Sequence, residues 1–152
     1  MSQGRKYTIY EASDILDQAG SLHASTLHLD YGTGEKFTST EVHTLSYVVD
    51  HPGISVTQLA HDTGKTKGAI SQMIKKLVGK DLLRREESPI SERSNRLYAT
   101  DAGLALHAAH KRYDTASFGK TYKALCEMYS PDEVNAAWSI LETWIELRRQ
   151  MD

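Results

Sequence analysis

Between Ser55 and Leu82 the chain carries two short runs of apolar residues at helical spacing, separated by a single turn around Gly64. Val56, Leu59 and Ala60 form the first run, and Ile70, Met73, Ile74, Leu77 and Val78 recur at i, i+3, i+4, i+7 and i+8 in the second. That spacing buries one face of each helix. Two helices joined this tightly must cross, which requires a small residue at the crossing and a turn residue that tolerates positive φ. Ala60 and Gly64 meet the two demands. A helix-turn-helix pair is therefore the unit around which the rest of the chain has to pack.

The same stretch contains Gly64, Lys65 and Thr66 in the order that closes a nucleotide-binding phosphate loop. Such a loop needs a second glycine five positions earlier and a strand leading into it, because successive backbone N–H groups must wrap the anion. Leu59 occupies that position and the preceding run is helical. The tripeptide is accordingly not read as a nucleotide site.

Capping signals place the other helices. Thr38…Glu41, Ser55…Gln58 and Ser130…Glu133 each pair an oxygen side chain with Glu or Gln three residues on, and Pro131 follows the last N-cap. Helices are predicted over 7–30, 39–50, 56–62, 66–79, 101–127 and 131–150. From Leu82 to Tyr98 the helical period stops, and the runs LLRREE and NRLYA flank SPISERS, which predicts a β-hairpin. The fold class is mainly α with a small β-hairpin wing, in one domain spanning 1–152. A DNA-binding lobe would occupy 38–100, with long helices in 1–31 and 101–152.

A chain of 152 residues buries a core without disulfide or metal support. Cys126 is the only cysteine, which excludes an intramolecular disulfide framework, and its neighbours Leu125 and Glu127 would not lower a thiol pKa. It is expected to be a buried spectator. No apolar run reaches membrane-spanning length, so a cytoplasmic protein with no membrane partner is expected.

Net charge is −2, which does not by itself suggest a nucleic-acid partner, but its distribution does. Residues 65–96 hold nine basic side chains against four acidic ones, a local +5 that leaves −7 for the remainder. At 100° per residue the face of helix 66–79 opposite the apolar stripe holds Gly68, Gln72, Lys75, Lys76 and Gly79, with Ser71 at its border. Small residues allow close approach to a major groove, Gln can bond adenine in bidentate fashion, and lysines can meet guanine or phosphate. Thr66 as N-cap would set free N–H groups and the positive helix end beside a phosphate. A basic outer face is often only a solvated one. Its conjunction with Ala60, Gly64, five phased apolar positions and a basic hairpin favours DNA.

These residues resemble the MarR family of winged-helix transcription regulators, from the second helix through TQLAHDTGKTKGAISQMIKKL and GKDLLRREESPISERSNRLYATDAG to the long helices beyond. The resemblance implies a double-stranded DNA partner, a homodimer, and regulation, as a repressor, from a pseudo-palindromic operator. The DNA-contacting set is Thr57, Thr66, Lys67, Gly68, Ser71, Gln72, Lys75, Lys76, Arg93 and Arg96, with Arg93 on the wing-tip position. The sequence departs from the family at Ser91, where an aspartate commonly fixes the wing arginine, and at Ala99, where leucine is common. Helix 131–150 carries Val134, Ala137, Trp138, Leu141, Trp144 and Ile145 in one broad stripe, and a second subunit is the expected cover.

Histidines collect where the family binds small effectors: His43 opens the second helix, His107 and His110 lie three apart on the fifth, and His23 and His28 are on the first. Three readings stand side by side. They are ordinary interface histidines, or His43, His107 and His110 bind zinc as an effector, in the manner of a zinc-sensing branch, or a histidine and aromatics such as Tyr47 or Tyr113 hold an aromatic carboxylate. No cofactor is required for folding or DNA binding. His51 and His61 are given no role. The chain has no G-x-S-x-G, no H-E-x-x-H and no cysteine with a matched histidine motif, so an enzyme is not expected. A sequence-blind architectural DNA protein is the alternative, although it would be basic throughout.

Overall fold

The computed structural model describes residues 6–24, 29–88 and 91–151, apart from the side chains of 23–24, 88 and 91–94. The elements run α1 (Ile9–Ala24), β1 (Leu29–Asp30), β2 (Lys36–Phe37), α2 (Ser39–Asp50), β3 (Ile54–Ser55), α3 (Val56–Asp62), α4 (Lys67–Gly79), β4 (Leu83–Ser88), β5 (Ser91–Ala99), α5 (Asp101–Met128) and α6 (Pro131–Met151). The predicted fold class holds. Among the described residues no helix is long and apolar enough to cross a membrane.

The caps form as the sequence dictates. The Thr38 side chain accepts from Glu41 N, while Glu41 Oε2 accepts from Thr38 N at 2.8 Å. Ser130 and Glu133 make the same reciprocal pair at α6. At α3, Ser55 Oγ accepts from Gln58 N. A further box, Thr8 with Glu11, opens α1.

Two boundaries differ from expectation. The first helix, predicted to reach residue 30, ends at Ala24, and β1 pairs antiparallel with β2, Leu29 opposite Phe37. Residues 30–34 form a turn rather than helix, since Asp30 Oδ1 accepts from the N–H groups of Gly32, Thr33 and Gly34 at 2.8–3.1 Å, and Gly32 and Gly34 take φ of 86° and 79°. A side chain that binds backbone amides this way competes with helix. The wing differs too, for SPISERS was read as loop, yet Ser88 pairs with Ser91 and β5 begins there. Ladder hydrogen bonds across the hairpin outweigh the weak strand preference of serine. β5 also pairs on its other edge with β3, Ile54 opposite Leu97, making a three-stranded sheet ordered β3-β5-β4.

The core lies between α2, α3, α4 and this sheet. Val42, Leu45, Val48, Leu59, Ile74, Leu77 and Leu97 are fully buried, and Leu106 carries the core into the first turns of α5. Full burial of each such side chain stabilises by about 1.5–3 kcal/mol. α4 stops where Asp81 takes φ 56° and Leu82 N bonds back to Leu77 O, the left-handed termination of a helix. At the joint between wing and α5, Thr100 N donates to Leu82 O and Thr100 Oγ1 to Asp81 O. A Cβ on Gly103 would collide with the Leu82 carbonyl, so only glycine admits this approach.

Beyond that joint α5 and α6 run past the lobe. Cys126, expected to be buried, is exposed, and the buried residues of α5 lie in its first half, from Gly103 to His110. On α6 only Val134 of the predicted stripe is buried; Trp138, Trp144 and Ile145 remain 38–44 % exposed. Phe118 meets Trp138 edge-on at 5.6 Å, joining the two helices.

Candidate nucleic-acid interface

Helix α4 is held by a turn that uses its residues as the spacing predicts. Ala60 is buried, Gly64 takes φ 62°, and Lys65 N donates to Ala60 O at 3.0 Å. Thr63 Oγ1 reinforces the end of α3 by donating to Leu59 O. Ile70, Ile74 and Leu77 are buried and Met73 and Val78 partly so, which fixes the rotation of α4 about its axis.

That rotation presents Lys67, Gly68, Gln72, Lys75, Lys76 and Gly79 to solvent, with Ser71 half-exposed at the border. Thr66 caps the helix, its Oγ1 accepting from Ala69 N at 3.2 Å, and the N–H groups of Lys67 and Gly68 lie at the exposed end. These donors and the helix dipole favour an anion. Thr57, in the first turn of α3, is exposed as well. Of the set from Thr57 to Lys76, all but Ser71 are exposed.

Lys76 has a protein partner, which it shares with Lys80 just beyond the helix. Lys76 Nζ stands 3.1 Å from Glu41 Oε1, and Lys80 Nζ lies 3.5 Å from the same oxygen and against Glu35 Oε1 at 2.5 Å. Glu41 is only 1 % exposed. Its Oε2 takes both Thr38 donors, whereas Oε1 is buried with no well-directed hydrogen bond, so Lys76 and Lys80 meet it as charges rather than as aligned donors. Burial pushes the Glu41 carboxyl pKa up, but the Thr38 N–H, the Lys76 ammonium and the Thr38 hydroxyl pull it further down, below the ordinary 4.5. Lys80 also sits over the Phe37 ring at 4.5 Å. Sequence reasoning found Glu41 as a cap and missed its second contact, which crosses from α2 to α4 and leaves no periodic trace.

Arg96 is half-buried and donates from Nη1 to Gly53 O at 3.0 Å, tying β5 to the turn before β3. The Arg93 side chain lies outside the described residues. At the opposite corner of the lobe, Tyr47 donates to Asp62 Oδ2 and stacks on His51 at 4.2 Å, so α2 grips the end of α3. The His61 contact, with smaller help from Tyr47, holds the Asp62 carboxyl below its ordinary value.

The histidines divide. His110 is buried, its Nε2 3.0 Å from Asp114 Oδ2, and its ring meets His43 and Tyr31 edge-on at 5.0 and 5.2 Å. Burial, then the Asp114 charge, raises the Tyr31 pKa. His107 turns away, with Nδ1 2.9 Å from Ser46 Oγ. Among the described residues no three His, Cys, Asp or Glu side chains stand together as a metal site. The expected trio of His43, His107 and His110 is thus not assembled, and His28 lies outside the described residues.

Residues 36–94 match the model of the MarR family. The uncharacterized HTH-type transcriptional regulator YhjH of Bacillus subtilis (strain 168) is 30% identical over 108 residues, covering 71% of this chain and 61% of that protein. The chain thus matches less than two thirds of that relative's length. Among solved structures, Streptococcus pneumoniae FabT in complex with DNA superposes with a TM-score of 0.69 at 18% identity over 93% of this chain and 94% of that one. A MarR protein from Peptoclostridium difficile reaches 0.72 at 14% identity, covering 99% and 93%. These two likenesses speak for the fold. Residues 36–94 thus resemble the MarR family in sequence, and over nearly its whole length the chain shares the fold of the MarR protein from Peptoclostridium difficile.

Proposed function

We propose that the protein is a sequence-specific double-stranded DNA-binding transcriptional repressor that works as a homodimer. The observation that carries this reading is the outer face of α4: solvent-facing, small near its start and cationic further on, with an unburied N-terminus. FabT, solved with DNA, supports the same partner for the shared fold. In this reading Gly68 lets the helix backbone approach a major groove, Gln72 and Ser71 face base edges, and Lys67 and Lys75 meet phosphates or guanine. Thr57 and Thr66 sit against the backbone at the helix ends. Arg93 would reach the minor groove from the wing, while Arg96 braces the wing from within.

The homodimer is supported by apolar surface that one chain leaves uncovered: Ile9 and Tyr10 on α1, Phe118 on α5, and Trp138, Trp144 and Ile145 on α6. Large apolar side chains left exposed in this number suit burial against a second copy. Twofold pairing would set two α4 helices on half-sites roughly 10–10.5 base pairs apart.

For the effector, the junction of Tyr31, His43, His110 and Tyr113 offers imidazoles flanked by aromatic rings, which suits a small aromatic carboxylate. Zinc would need a third ligand beyond the described residues. Selecting duplexes from a random pool and comparing their affinity with that of random duplex at fixed salt tests the function, and repeating it with zinc and with benzoate tests the effectors. Tighter binding of the selected duplex is expected, because unequal affinity requires base readout. Equal affinity for all duplexes would leave only the architectural alternative.

A further inference from the structure

Lys76 lies on the same i, i+4 ridge of α4 as Gly68 and Gln72, one turn beyond the glutamine, where a free ammonium would be well placed for a phosphate. Its ammonium is directed to Glu41 instead, the carboxylate buried beneath it in the first turn of α2. The arrangement is asymmetric. Glu41 Oε2 is satisfied by the Thr38 N–H and hydroxyl at 2.8 and 2.9 Å, whereas Oε1 has only the two lysines. If Lys76 swung out to a phosphate, that oxygen would be left to Lys80, which stands farther away at 3.5 Å and is shared with Glu35. A buried charge deprived of its partner is costly, so the lysine is not free to choose.

We propose that Glu41 is a specificity-determining residue: by holding Lys76 it withholds a positive charge from the DNA backbone, so that base contacts make up a larger share of the binding. Sequence-blind affinity rises with every phosphate that a lysine neutralises, and such contacts strengthen all duplexes alike. A reading helix with one lysine withheld discriminates better for the same fold. The inference rests on the DNA-binding reading above.

The test is a salt titration of binding to a random-sequence duplex and to a selected duplex, for wild type, Glu41→Gln, Lys76→Gln and the double variant. Glutamine at 41 can still accept from Thr38 N, so the cap survives. In Glu41→Gln the slope of log affinity against log salt should steepen by about one as Lys76 is released, and the preference for the selected duplex should fall several-fold. Lys76→Gln alone should leave the slope as in wild type, and the double variant should return to it. An effect of net charge alone would instead make Lys76→Gln shallower than wild type. Equal slopes for wild type and a folded Glu41→Gln would overturn the proposal, as would a Lys76→Gln slope shallower by about one. If Glu41→Gln does not fold, the Lys76→Gln slope decides by itself. Wild type that binds neither duplex in a salt-dependent way would overturn the DNA reading, which separates the two failures.

Discussion

Glu41 shows how one side chain can serve two elements. It completes the cap of α2 and, from the same carboxylate, faces Lys76 of α4 and Lys80 at the C-cap of that helix. Its pKa is lower in the folded chain than the ordinary 4.5, because the Thr38 and Lys76 contacts outweigh the burial that opposes them. A group with a depressed folded pKa contributes stability that is fully present above its unfolded pKa and is lost as pH falls through its folded one. Wild-type thermal stability should therefore fall between an ordinary carboxylate pKa and the lower folded value. Glu41→Gln should be less stable near neutrality and should lose less over that acidic window. Melting temperatures of the two proteins measured across the window provide the check, and parallel curves would show that Glu41 contributes nothing to the pH dependence.

At the scale of elements, α4 was legible in the sequence because five apolar residues share one helical period and Thr66 and Gly64 punctuate it. The exposed face follows from the buried one. Replacing Gln72 with Ala should narrow the gap between selected and random duplex by about 1–3 kcal/mol if it reads a base. Replacing Lys75 should weaken both duplexes and reduce the salt slope by about one. Fluorescence anisotropy on both duplexes at several salt concentrations distinguishes the two patterns, and unchanged binding in both variants would contradict this docking. What the sequence did not show has a common cause. The turn at 30–34 is decided by the Asp30 carboxylate bonding three backbone amides, and β3 by pairing with a distant strand. The partners of Lys76 and Arg96 likewise come from other elements, so none of these contacts has a local period to read.

For the whole molecule, the proposed homodimer would bury the uncovered aromatics of α6. Trp144→Glu should shift the protein from dimer towards monomer in sedimentation or light scattering, with weaker binding of a two-half-site duplex and little change in the fold of the lobe. A monomeric wild type, or a variant still fully dimeric, would remove α6 from the interface. How such a dimer transmits a change of spacing depends on the base of the wing. There Gly103 rests against the Leu82 carbonyl while Thr100 bonds to both Asp81 and Leu82. The seam has no slack: a tilt of α5 meets backbone on one side and must break two bonds on the other. The first turn of α5 and the base of the hairpin should therefore move as one piece, so that a swing of the helix carries the wing with it.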